Sequence, residues 1–213
     1  MKNPLNYQLS EYDCGPTTIL NAISFLFERE DIPPELIRTV MLYSLDCYGP
    51  EGKFGECGTS CTAMMFLCNW LCGFGKTGRL PISCKYVTGE DVYIGEGGVV
   101  TSALQNGGAV IVRLYYDVAH YVLLTGIKDD SVLMFDPYYR AEPFDENDII
   151  VTLEHPFTYN RIVPFHYSNH ETTNLYSLGL KKEREAMILY NNKTPTDVKL
   201  EQALINSANT SHV

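Results

Sequence analysis

The chain has 213 residues, 45% hydrophobic and 20% charged, with 16 Lys and Arg against 26 Asp and Glu for a formal charge of −10. That size and apolar content favour one domain with a sizeable core. The acidic balance argues against nucleic acid or an anionic membrane surface as the main partner, because both need a basic face. No apolar run reaches the roughly 18 residues of a spanning helix. The first ten residues lack the apolar centre of a signal peptide. The expectation is a soluble, cytoplasmic protein. Seven cysteines, an odd number, do not form an evident disulfide framework and read as free, metal-binding or catalytic thiols.

Residues 1–13 form a polar lead-in. Ile19, Leu20, Ala22, Ile23, Leu26 and Phe27 recur at helical spacing and predict a helix over about 15–28, with Pro16 in its first turn. A second helix is expected over Pro34–Ser44. A Gly-rich loop follows over 46–58, and a third helix from Thr59 or Ser60 to about Leu71, stopped by the glycines of 73–78. Ile82–Val87 reads as a strand and Gly97–Gln105 as a short helix. Then come β-rich runs at Ala109–Tyr115, His120–Ile127 and Val132–Phe135, with a hairpin turn at 128–131. Further strands are expected at Ile149–Leu153 and Arg161–Tyr167, and a late helix at Ser177–Leu189. Residues 191–213 read as a loosely held polar tail. Helices first and strands second imply an α+β fold, a helical half packed on an antiparallel sheet.

Cys14 stands at the first turn of the first helix, where free N–H groups and the positive dipole end favour a thiolate. Position alone leaves a buried small hydrophobe equally open. A cysteine nucleophile needs a base, and His120 begins a strand that can hold it rigidly. The base needs an orienting group. Asp136 ends the next strand, and a hairpin turning near 128–130 sets His120 and Asp136 roughly opposite each other. Gln8, six residues before Cys14, offers a neutral amide to a developing oxyanion, with the Cys14 N–H as a second donor.

The stretch Gln8-Leu9-Ser10-Glu11-Tyr12-Asp13-Cys14-Gly15-Pro16-Thr17 resembles the active-site signature of the peptidase C39 family of papain-like cysteine peptidases. The run from His120-Tyr121-Val122 to Phe135-Asp136-Pro137 resembles that family's His and Asp-Pro strands. The resemblance implies a papain-like fold and hydrolysis of a peptide or protein substrate. It makes Cys14 the nucleophile, His120 the base, Asp136 the orienter and Gln8 the oxyanion donor, with no cofactor or metal. Asp13 matches a signature position without an assigned role. Many C39 domains are fused to membrane transporters, whereas no such segment is seen here, and residues 46–98 read as an insertion. One C39-like domain is expected over 1–190. The same constellation would also serve an acyltransferase or amidase, or remain as a silent peptide-binding module.

Other signals are set aside. Cys57, Cys61, Cys68 and Cys72 fall on one helical face but span too far for one metal, so they read with Met64 as a core-facing stripe. Gly73-Phe74-Gly75-Lys76-Thr77 lacks the first glycine of a P-loop, Trp70 standing there. His155, His166 and His170 have no facing aspartate. The acids between Asp129 and Glu154 read as a solvated face, with basic peptides a lesser alternative.

Overall fold

The computed structural model describes residues 1–49 and 51–193. It holds an α+β arrangement of helices on a seven-stranded sheet, every strand pair antiparallel. Three helices open the chain: α1 (Cys14–Leu26), α2 (Pro34–Ser44) and α3 (Cys61–Lys76). Strand β1 (Ile82–Thr88) and helix α4 (Val99–Gln105) follow. Next come β2 (Ala109–Tyr116), β3 (Val118–Lys128), β4 (Ser131–Phe135), β5 (Ile150–Val151) and β6 (Arg161–Pro164). A single helical turn, α5 (Phe165–Ser168), precedes the last strand, β7 (Glu185–Asn191). The spatial order is β1-β7-β2-β3-β4-β6-β5. Among the described residues no helix is long and apolar enough to cross a membrane.

Period-two alternation splits the core into two layers. Tyr121 and Leu123 of β3 face α1, α2 and α3 together with Ile19, Ile23, Leu36 and Leu67. Val122 and Leu124 face α4 with Val100 and Leu104. Burial on both faces leaves β2 and β7 as nearly continuous apolar runs. The segment 46–98, expected as an insertion, supplies α3 and β1 to this core: Met64, Leu67, Cys68, Leu71 and Ile82 all lie in its first layer.

The late helix expected at Ser177–Leu189 is not formed. Residues 177–184 are irregular apart from a 3-10 turn at Lys181–Glu183, and Glu185–Asn191 is a strand between β1 and β2. The helix-forming run Lys181-Lys182-Glu183-Arg184-Glu185-Ala186 is overridden by packing. A strand buried on both faces carries no alternation to betray it. The third helix runs past the expected stop to Lys76, and its Gly75 serves packing instead, lying against the Ile82 carbonyl where no Cβ would fit. The strand expected to Tyr167 ends at Pro164 and turns into α5. The cysteine stripe is only half right: Cys68 is buried, but Cys57 is exposed ahead of α3, Cys61 is exposed, and Cys72 is half-buried. Most of the polar tail, 194–213, lies outside the described residues.

Candidate active site

Cys14 is the first residue of α1, and the loop before it is tied down by Asp13. The Asp13 carboxylate accepts from the N–H of Leu9 at 2.9 Å, the N–H of Ser10 at 2.6 Å, the Ser10 hydroxyl at 2.6 Å and the Thr17 hydroxyl at 3.3 Å. Burial pushes the Asp13 carboxyl up, but the Ser10 hydroxyl and the backbone donors outweigh it and hold it below the usual range. Asp13 therefore acts as the clasp of the Leu9–Asp13 loop, a role its signature position alone did not reveal. From the other side, Thr59 packs on Gly15 so closely that a Cβ there would strike its hydroxyl. This contact accounts for the glycine after Cys14.

His120 and Asp136 meet across the β3–β4 hairpin. Near the turn the register pairs Lys128 with Ser131 and Gly126 with Leu133. Continued unbroken, it would set Asp136 opposite Leu123, on the wrong face for His120. A bulge at Thr125 shifts the register to Leu124 with Met134 and Leu123 with Phe135. Asp136 then follows opposite Val122, on the face of His120, since a one-residue slip exchanges faces. The two side chains are diagonal neighbours rather than directly opposite, and His120 Nε2 lies 2.7 Å from Asp136 Oδ1. His120 is 6% exposed and Asp136 fully buried.

The ring also interacts with the Cys14 thiol. Burial opposes a charge on His120, but Asp136, through both charge and hydrogen bond, and Cys14 overcome it and push the ring up to about 10. Asp136 is held below the usual carboxylate range. Desolvation works against its charge, but His120, the Arg161 guanidinium and the Tyr138 N–H win.

Sequence reading missed the residues around Asp136. Asn160 accepts from the Asp136 N–H at 2.8 Å and donates to its carbonyl at 2.7 Å. The Tyr176 hydroxyl donates to Asp136 Oδ2 at 2.9 Å, and the Tyr138 N–H to Oδ1 at 2.8 Å. Arg161, fully buried, donates to the carbonyls of Asn160 and Tyr138. Tyr116 stands 6.0 Å from the His120 ring and contacts Tyr138, Phe144 and Tyr176, an aromatic wall beside the pair. Asn160 and Tyr176 lie 24 and 40 residues from Asp136, and no local motif announces them.

Gln8 is brought to the same end of the sheet, where its N–H donates to the Pro137 carbonyl at 2.9 Å. Its side-chain amide donates to the Ser10 carbonyl at 2.8 Å, and its oxygen is buried without a protein partner. No hydrogen bond joins it to Cys14 or His120 among the described residues. One amide hydrogen remains uncommitted. A cavity of about 240 Å³ opens beside it, lined by Leu9, Glu11, Tyr138 and Tyr139. His155, His166 and His170 take no part in the cluster, although His166 does face an aspartate, Asp148 at 3.4 Å, in an exposed pair. Among the described residues no group of three or more His, Cys, Asp or Glu side chains could hold a metal ion. Compared with protein-family models and with curated proteins, the chain matches none.

Proposed function

We propose that the chain is a papain-like cysteine peptidase related to the C39 family. The observation that carries the reading is His120, buried between the Cys14 thiol and the fully buried Asp136 carboxylate. A thiol, an imidazole and a carboxylate in series are what nucleophilic acyl transfer requires.

On this reading the proton of Cys14 rests on His120 and the thiolate attacks a peptide carbonyl. The resulting oxyanion takes hydrogen bonds from the Cys14 N–H, free at the first turn of α1, and from the Gln8 amide after it leaves Ser10. His120 passes its proton to the departing amine, and the C–N bond breaks to leave a thioester. His120 then removes a proton from water, and the hydroxide adds to the thioester. Collapse expels the Cys14 thiolate and frees the carboxylic acid. Asp136 keeps the ring oriented and offsets its positive charge throughout.

The test is brief iodoacetamide treatment near pH 6 with peptide mapping, alongside turnover of a mixed peptide library. Selective alkylation of Cys14 over the other six thiols, with cleavage abolished in Cys14→Ala, is the expected result. Equal labelling of several cysteines, or cleavage that survives Cys14→Ala, overturns the reading.

A further inference from the structure

A cavity of about 460 Å³ lies between the start of α3 and the ends of β1, β2 and β7. Cys61, Met65, Tyr86, Arg113, Lys182 and Glu185 are among its walls. Three elements lead to it from the catalytic cluster. Tyr121, next to His120 on β3, donates its hydroxyl to Glu185 at 2.6 Å and feels the charge of Cys14. Arg113 is the register partner of Tyr121 on β2. Thr59, pressed on Gly15 beside Cys14, is two residues from Cys61. The cavity is thus linked to the cluster through Tyr121, which joins the Glu185 wall to the strand position beside His120.

The buried carboxylate of Glu185 suggests a pocket for cations, but its acceptor sites are already taken. Oε1 accepts from Tyr121 and pairs with Arg113 Nε at 3.3 Å. Oε2 accepts from Tyr86, and the Cys61 thiol also donates to the carboxylate. A carboxylate offers about four lone-pair sites, so a substrate ammonium would find none free. The free groups are donors. Arg113 spends only Nε and one Nη2 hydrogen, the latter on the Glu183 carbonyl. Its other guanidinium hydrogens have no partner among the described residues. Lys182, exposed at the rim, forms no ion pair among the described residues. Arg184 is committed to the carbonyls of Gly179, Val92 and Asn169. The Glu183 carboxylate at the rim is the one exposed acid of the lining.

We propose that this cavity is a substrate subsite taking a carboxylate-bearing side chain, bound by Arg113 and Lys182, with Glu185 holding Arg113 in place. The proposal rests on the peptidase reading for its catalytic consequence, but not for binding itself.

The experiment has two arms. Peptides carrying Glu, Gln or Lys at each position around the scissile bond are compared by kcat/KM. The expected result is a preference of roughly 10–100-fold for Glu over Gln at one position, the size of a hydrogen bond to a charged group. The Glu/Gln ratio falls toward one in Lys182→Glu and Arg113→Gln. Lys182 is exposed, so its variant stays informative if Arg113→Gln fails to fold. In the second arm, N-acetyl-glutamate amide and N-acetyl-glutamine amide are titrated into Cys14→Ala by NMR. Tighter binding of the glutamate compound, lost in the Lys182→Glu double variant, upholds the subsite even if no peptide is cleaved, a result that would sink only the peptidase reading. Equal binding of the two compounds, or a Lys preference in turnover, overturns the subsite.

Discussion

Asp136 and Glu185 are two buried carboxylates on one sheet, with similar numbers of hydrogen-bond partners and opposite electrostatic fates. Asp136 is held ionised, while burial pushes Glu185 up to about 7. The difference is the charge of the partners. Asp136 accepts from His120, which carries a proton of its own, and has Arg161 nearby. Glu185 accepts from two tyrosine hydroxyls and a thiol, and its one cation, Arg113, also serves the Glu183 carbonyl. Counting hydrogen bonds does not fix protonation. At Asp136 the charged His120 and Arg161 overcome desolvation, whereas the tyrosine and thiol donors at Glu185 do not.

The largest effect should come from breaking the ionised member. Asp136→Asn removes the charge that stabilises a protonated His120 and invites the wrong tautomer. Turnover should fall about 10⁴-fold, the loss such a change typically causes in a triad, while circular dichroism stays native. Full turnover in the folded variant would remove Asp136 from the site. Gln8→Ala comes next. In the proposed mechanism its amide turns from the Ser10 carbonyl to the oxyanion, so kcat should fall about 10²–10³-fold with little change in KM. Alkylation of Cys14 should persist, since that displacement forms no tetrahedral oxyanion. Loss of labelling together with turnover would instead make Gln8 an organiser of the thiol.

The parts of this comparison that sequence could reach are the local ones. Cys14 announces itself by standing at the start of an amphipathic helix, and the β3–β4 hairpin by its β-rich runs and polar turn. The bulge at Thr125 was not legible. No residue type marks it, and the roughly correct facing of His120 and Asp136 depends on it. Glu185 was hidden for a different reason. Its strand is buried on both faces and preceded by helix-forming residues, so it reads as a helix until β1 and β2 are seen to claim it. Asn160, Tyr176 and Arg161 are long-range partners that only the closed sheet brings to Asp136.

A smaller effect isolates the backbone support of the ionised site. Asn160→Ala leaves the buried N–H and carbonyl of Asp136 without their partner. Leaving such groups unsatisfied costs about 1–3 kcal/mol each, so the urea midpoint should drop clearly. If the midpoint is unchanged, the Asn160 bridge contributes nothing net to holding Asp136.

The mildest test reads both carboxylates through the pH dependence of stability. Asp136 lies below its ordinary 3.8 in the folded chain, so its contribution is present above that value and lost as the pH falls through the folded one. His120 is raised from 6.5 to about 10. Its contribution is complete below 6.5 and fades as the pH climbs to about 10. Glu185 is raised from 4.5 to about 7, so it too contributes fully at the acid end and loses that contribution as the pH rises through about 7. The windows follow one another: Asp136 below 3.8, Glu185 between 4.5 and 7, His120 between 6.5 and 10. Glu185→Gln carries no titrating proton, so the Tm difference between wild type and this variant should shrink from pH 4.5 to 7 and then stay level. Asp136→Asn should instead flatten the decline between pH 6.5 and 10, because the His120 ring loses the charge that raises it. A wild-type minus Glu185→Gln difference that stays constant from pH 4.5 to 7 would show that Glu185 ionises as freely folded as unfolded, and the contrast between the two carboxylates would be gone.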